Sequence, residues 1–147
     1  MIKRLREWVA QSLALNFTTT LATATSTKLS FAVKAGEIWA VTTQITAECS
    51  TNRGVKYAVS APLGSTVEGW LYGQRNPGQF NTERVIAVNT LTGTALHTAV
   101  NTPTPDQLNF LITAGAVGSI AIAVASQTAG DTTTLFSGSS LSALRVN

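Results

Sequence analysis

The chain has 147 residues, 44% of them hydrophobic and only 12% charged, with a formal net charge of +3. That length suits one domain, which buries roughly 70% of the surface its unfolded chain exposes and can hold a core without staples. The single cysteine, Cys49, excludes an internal disulfide, which agrees with assembly in a reducing compartment.

Residues 1–16, "MIKRLREWVAQSLALN", carry Lys3, Arg4 and Arg6 against Glu7, so most of the net charge belongs to this leader. The β region keeps too little positive charge for the basic stripe that a nucleic-acid binder needs. Within the leader Ile2, Leu5, Trp8 or Val9, and Leu13 recur at helical spacing, with Lys3, Arg4, Glu7 and Gln11 largely on another face. The pattern predicts a basic amphipathic helix of about four turns, marginal in isolation. Its apolar face must therefore dock on its own domain, on sister subunits or on another protein. The expected organisation is an attachment arm over 1–16 and a β-sandwich over 17–147.

Residues 17–26, rich in Thr, fit either a first strand or an extended linker. Beyond them alternation and turn formers predict strands in "TKLSFAV", "IWAVTTQITAEC", "VKYAVSAP", "TVEGWLYG", "ERVIAVNTLTG", "QLNFLIT", "VGSIAIAVAS" and "SSLSALRV". "KAGE", "STNRG" and "QTAGDTTT" read as turns, "QRNPGQFN" as a loop, and "HTAVNTPTPD", with its prolines, as an irregular connection. Gly69 inside a strand marks a bulge or a close approach. "FLITAGAVGSIAIAVA" falls short of a membrane span, contains Gly115 and Gly118, and reads as an inner hairpin. No membrane association is expected. About eight strands at this spacing predict an antiparallel, jelly-roll-like sandwich. Its core is expected from Leu29, Phe31 and Val33; Ile38, Ala40 and Thr42; Leu108, Phe110 and Ile112; Ile120, Ile122 and Val124; and Leu141 and Ala143.

Chemistry-bearing residues are few. His97 is the sole histidine and has no cysteine or carboxylate at metal-ligand spacing. "SGSS" (137–140) lacks the frame of a nucleophile elbow. Glu37, Glu48, Glu68, Glu83, Asp106 and Asp131 are scattered over strand ends and turns, without a phosphate loop or a calcium cluster. No catalytic residue, metal or cofactor is expected, and the chain reads as a non-enzyme. Cys49 reads as a small, inert, half-buried residue near a strand end, and Trp39 as core. Trp70 and Tyr72, two apart on one strand face with Arg75 just beyond, suit stacking on a sugar ring, anchoring a partner or lining an interface.

Three stretches, "LSFAVKAGEIWAVTTQITAEC", "VKYAVSAPLGSTVEGW" and "LNFLITAGAVGSIAIAVASQTAGDTTTLFSGSSLSALRV", together resemble small β-structured virion proteins of tailed bacteriophages: head-decoration, head-fibre or tail-associated modules. The resemblance runs loosely over residues 29–146, omitting 74–105. It rests on an entry of the form F.V.AGE.W, a lysine-bearing strand ending in a proline turn, and a closing GS.L.A.RV. It implies a compact sandwich, a homotrimer and a place in the virion, with no catalytic residue to carry over. The expected function is therefore a capsid decoration (cement) protein, assembled in the host cytoplasm, whose partners are the major capsid protein or another virion protein and itself. Ile2, Lys3, Arg4, Leu5, Arg6, Trp8, Val9 and Leu13 are its expected contacts. A tail or fibre module, with the 73–82 and 97–106 loops on a host receptor, and a lectin-like domain using Trp70, Tyr72 and Arg75 are the alternatives.

Overall fold

The computed structural model describes residues 7–51, 54–76, 79–85, 87–92 and 102–147, with the backbone alone at 74–76 and 79. These residues form eleven strands and no helix. They are β1 (Trp8–Ser12), β2 (Phe17–Thr19), β3 (Thr25–Val33), β4 (Ile38–Cys49), β5 (Val55–Ser60) and β6 (Thr66–Asn76). Then follow β7 (Gln79–Val85), β8 (Thr104–Thr113), β9 (Gly118–Ser126), β10 (Thr133–Leu135) and β11 (Ser140–Arg145).

The strands make two antiparallel sheets. The larger, sheet A, has eight strands along the path β1-β11-β4-β8-β6-β7, with β10 joining β4 to β2. The smaller, sheet B, is β3-β9-β5. Successive strands β3 and β4, β5 and β6, and β8 and β9 lie in opposite sheets, so the chain winds back and forth around one core. The exposed edge of β5 is covered by residues 87–92. There the Asn89 and Thr92 amides donate to the Val59 and Tyr57 carbonyls, both at 2.8 Å. The Asn89 side chain holds Ala61 through both its amide groups at 3.0 Å.

The N-terminal helix expected for 1–16 is not formed where the structure describes it, and this expectation is corrected. Residues 8–12 are β1, an edge strand paired from Trp8↔Leu144 to Ser12↔Ser140. The physical reason is non-local. Strand β11 offers a row of backbone donors and acceptors, and a short segment satisfies more of its own groups there than in an isolated helix. The residues 1–6 of that expected helix lie outside the described residues.

The strand expected in "ERVIAVNTLTG" stops at Val85, the end of β7, and residues 87–92 are not strand. Leu29, Phe31, Val33, Leu108, Phe110, Ile112, Ile120, Ile122, Val124, Leu141 and Ala143 are buried, as expected. On β4 the inward set is Trp39, Val41, Thr43, Ile45, Ala47 and Cys49 instead; of the residues expected there, Ile38 is only half-buried, and Ala40 and Thr42 face out. A one-residue change of phase turns every side chain over, and the odd positions win because the even ones carry Gln44 and Glu48. Trp39 is fully buried and meets Phe31 of the other sheet, ring centroids 5.0 Å apart.

"FLITAGAVGSIAIAVA" is not a hairpin, for β8 and β9 pair in different sheets. Their connection docks through Gly115, whose amide donates to Ser65 Oγ at 3.0 Å. A Cβ on Gly115 would strike the Leu63–Gly64 backbone. "QRNPGQFN" is no open loop either, since β6 runs to Asn76 and β7 starts at Gln79. Residues 17–19 and 25 onward are strand, which resolves the Thr-rich stretch. Strand β8 starts within the proline-rich connection, with Pro105 opposite Thr46. No helix of the described residues is long and apolar enough to cross a membrane.

Candidate binding face

Because strand side chains alternate, half of sheet A's residues point away from sheet B. Their register produces three rows across the sheet. The first runs Trp8, Leu144, Ala40, Leu111 and Glu68. The second runs Ala10, Ser142, Thr42, Asn109, Trp70 and Arg84. The third holds Ser12, Ser140 and Gln44, then Gln107, Tyr72 and Thr82, with Gln107 Nε2 donating to Gln44 Oε1 at 2.9 Å.

Two properties define this face. It is open: Trp8 is 65% exposed and Leu111 49%. It is also nearly uncharged. Among the described side chains its ionised groups are Glu48 at one end and the Glu68–Arg84 pair, whose oxygen and nitrogen stand 2.6 Å apart. The first row is apolar over four strands, about 14 Å at roughly 4.8 Å per strand. Toward β6 and β7 the character changes. Trp70 (47% exposed), Tyr72 (43%) and Phe80 (67%) are grouped among amides, and Tyr72, Phe80, Pro105 and Gln107 line a concavity of about 240 Å³.

The residues expected at an attachment surface divide. Ile2, Lys3, Arg4, Leu5 and Arg6 lie outside the described residues. Trp8 points outward, whereas Val9 packs partly buried against the core from the other face of β1. Leu13 is buried, and its backbone is held by Ser139 and Gly138 at 2.9 Å. Of the residues expected to meet a ligand, Trp70 and Tyr72 share the outer face, and the side chain of Arg75 lies outside the described residues. Phe80, in what reads as a loop, joins them because the β6–β7 hairpin sets it beside Gln74.

The remaining polar candidates hold the fold together. Glu37 is buried at the β3–β4 turn. Its Oε2 accepts from the Lys34 amide at 2.9 Å and from Trp39 Nε1 at 3.2 Å, and its Oε1 pairs with Arg145 at 3.0 Å. Burial pushes the Glu37 carboxyl up, but the Lys34 amide, the Trp39 indole and the Arg145 and Lys34 charges outweigh it. The carboxyl therefore lies below its ordinary range. Buried between the two sheets, Tyr57 Oη donates to Asp106 Oδ2 at 2.5 Å. Burial, then the Asp106 charge and hydrogen bond, push the Tyr57 phenol well above its usual range.

Asp131 accepts from Thr51 at 2.8 Å, and Ser139 of "SGSS" accepts from the Thr46 amide at 3.1 Å. His97 and the 97–101 part of the proposed receptor loop lie outside the described residues. Among the described residues no group of three or more His, Cys, Asp or Glu is placed to hold a metal ion. Cys49 is more deeply buried than its half-buried expectation and joins the core.

No protein family matches the chain, and no curated protein does. Among solved structures it is similar to the infectious bursal disease virus VP2 subviral particle, at 12% identity over 99% of this chain and 42% of that one, TM-score 0.24. It is similar also to infectious bursal disease virus, Gx strain, at 9% identity over 97% of this chain and 39% of that one, TM-score 0.26. The chain thus spans about two fifths of the length of the solved chains it matches, and likenesses this distant carry no functional argument.

Proposed function

We propose that this chain is a structural protein of a virus particle, a capsid decoration (cement) protein that binds the assembled shell as a homotrimer through the outer face of sheet A. The observation that carries the reading is that face: open, nearly uncharged, and crossed by the apolar row Trp8–Leu144–Ala40–Leu111. A contiguous apolar row on an open sheet face suits an interaction site, and sparse charge among its described side chains keeps the desolvation cost of covering it low. The resemblance of residues 29–146 to phage virion modules supports the same conclusion.

The energetic roles divide accordingly. Each large side chain fully covered contributes roughly 1.5–3 kcal/mol, so Trp8 and Leu111 dominate affinity. The leader cations Lys3, Arg4 and Arg6 immediately precede Trp8 in the chain. Facing carboxylates of a major capsid protein, they add mainly to capture rate and orientation, since exposed ion pairs contribute about 0–1 kcal/mol each. Three linked copies raise the effective concentration of each contact. A tail or fibre module is the second reading, favoured by the exposed aromatics beside the β6–β7 hairpin.

The test is co-sedimentation with undecorated shells of the same virus. Wild type is expected to decorate them stoichiometrically. Leu111→Asp places a charge in the middle of the apolar row and should abolish binding while the circular dichroism spectrum is unchanged. Full decoration by Leu111→Asp would remove the sheet face from the mechanism. Deleting residues 1–7 separately measures the leader, whose loss should slow capture more than it weakens the final complex.

A further inference from the structure

We propose that the β6–β7 end of sheet A is a binding site for a neutral glycan. This reading does not depend on shell binding. It starts from chemistry that the apolar row lacks. Trp70 and Tyr72 lie two residues apart on one strand face, about 7 Å along it, and both are nearly half exposed. Phe80 of β7 is more exposed still and closes a concavity with Tyr72, Pro105 and Gln107. The first row carries apolar side chains alone from β1 to β8. Here each aromatic of β6 instead has an amide as its cross-strand neighbour on β8: Asn109 opposite Trp70 and Gln107 opposite Tyr72.

That alternation of ring and amide matches the two surfaces of a sugar. The C–H face of a pyranose packs on an aromatic ring, while its equatorial hydroxyls need donors and acceptors at the ring's margin. Gln107 already donates to Gln44 at 2.9 Å, which holds its side chain in place and leaves its carbonyl oxygen toward a ligand hydroxyl. Asn109 Oδ1 is buried and has no hydrogen-bond partner, an acceptor that a small shift of the side chain opens to a hydroxyl at the foot of Trp70. The concavity of about 240 Å³ admits a single sugar ring, with Trp70 extending the platform to a second.

Charge selects the class of glycan. Among the described side chains the nearest ionised groups, Glu68 and Arg84, neutralise each other at 2.6 Å, so none of them offers unspent charge to a sialylated, sulfated or uronic chain. The ligand inferred is therefore an uncharged oligosaccharide, held by its ring faces along the line of β6. A shallow platform of this kind binds weakly per ring and relies on several copies for avidity.

The experiment is affinity electrophoresis of the full chain in gels cast with amylose, a β-1,3-glucan, xylan or galactomannan, followed by titration with the matching hexasaccharide. At least one neutral polysaccharide should retard wild type. Trp70→Ala and Tyr72→Ala should each weaken binding by roughly tenfold or more. Phe80→Ser provides an independent variant at a strongly exposed position, with a smaller loss expected. Leu63→Ala, in the exposed turn before β6, is the control and should bind as wild type. Retardation by no neutral polysaccharide, retardation only by charged ones, or retardation that survives both Trp70→Ala and Tyr72→Ala would overturn the proposal. So would a change in oligomer mass in those two variants without any sugar effect, since the platform would then be a contact between copies. Shell decoration is read separately through Leu111→Asp, so either reading can fail while the other stands.

Discussion

Glu37 ends the turn "KAGE" and reads in the sequence as one of several scattered carboxylates, yet it is a buried junction of three elements. Its oxygens hold the Lys34 amide, the Trp39 indole and the Arg145 guanidinium, which ties the β3–β4 turn to the core and to the last strand. A carboxyl whose pKa is lower folded than unfolded binds fewer protons in the native state. The stability it contributes is present above the ordinary glutamate value, about 4.3, and is lost as pH falls through the lower folded value. Glu37→Gln keeps the shape and removes the charge. Urea titrations should show it less stable by about 1–3 kcal/mol at pH 7, with the difference from wild type shrinking toward pH 3. An equal difference at both pH values would sever Glu37 from the acid limb.

Strand β6 carries the aromatic platform, and Gly69 decides how closely it lies on β8. A Cβ there would strike the Asn109 carbonyl oxygen and the Cα and Cβ of Phe110, so the β8 backbone itself occupies the space a side chain would need. The close-approach alternative for this glycine is thus the one realised, while the irregularity in β6 falls later, between Gln74 and Asn76. Gly69→Ala should cost about 1–3 kcal/mol by overpacking, read as a lower urea midpoint with an unchanged m-value. Because Trp70 sits next to it, glycan affinity should fall in the same variant, through displacement of the ring.

At the scale of the whole molecule the two sheets are joined by apolar packing and by buried polar links, among them Ser126 of β9 to Thr133 of β10 at 3.0 Å and Tyr57 of β5 to Asp106 of β8. The phenol is held neutral far above its usual range, so its contribution to stability is complete below the unfolded tyrosine value, about 10. It is lost as pH rises beyond that value toward the folded one. Tyr57→Phe removes the hydrogen bond and should lower stability at pH 7 by about 1.5–3 kcal/mol, the range for bonds to charged groups. It should also flatten the alkaline limb between pH 9 and 11, as measured by thermal unfolding against pH. A variant that loses stability above pH 10 as steeply as wild type would mean that other groups carry that limb.

What the sequence determined by itself was whatever a period of two records locally: a β fold beyond the leader, the inward faces of β3, β8, β9 and β11, the turn at "KAGE" and the paired aromatics of β6. It also contained the correct phase of β4, where Trp39 reads as core, although Ile38, Ala40 and Thr42 suggest the opposite one. Tertiary structure alone decided the rest. The leader's helical spacing lost to an open edge of β11, far away in the chain, that could bond its backbone. The run "FLITAGAVGSIAIAVA" was divided between two sheets because each half found different partners. The rows Trp8–Leu144–Ala40–Leu111 and Trp70–Asn109 exist only after strands from opposite ends of the chain lie side by side. Alternation tells each strand which side chains share a face, but cross-strand neighbours are set by register, and register is a property of the assembled sheet.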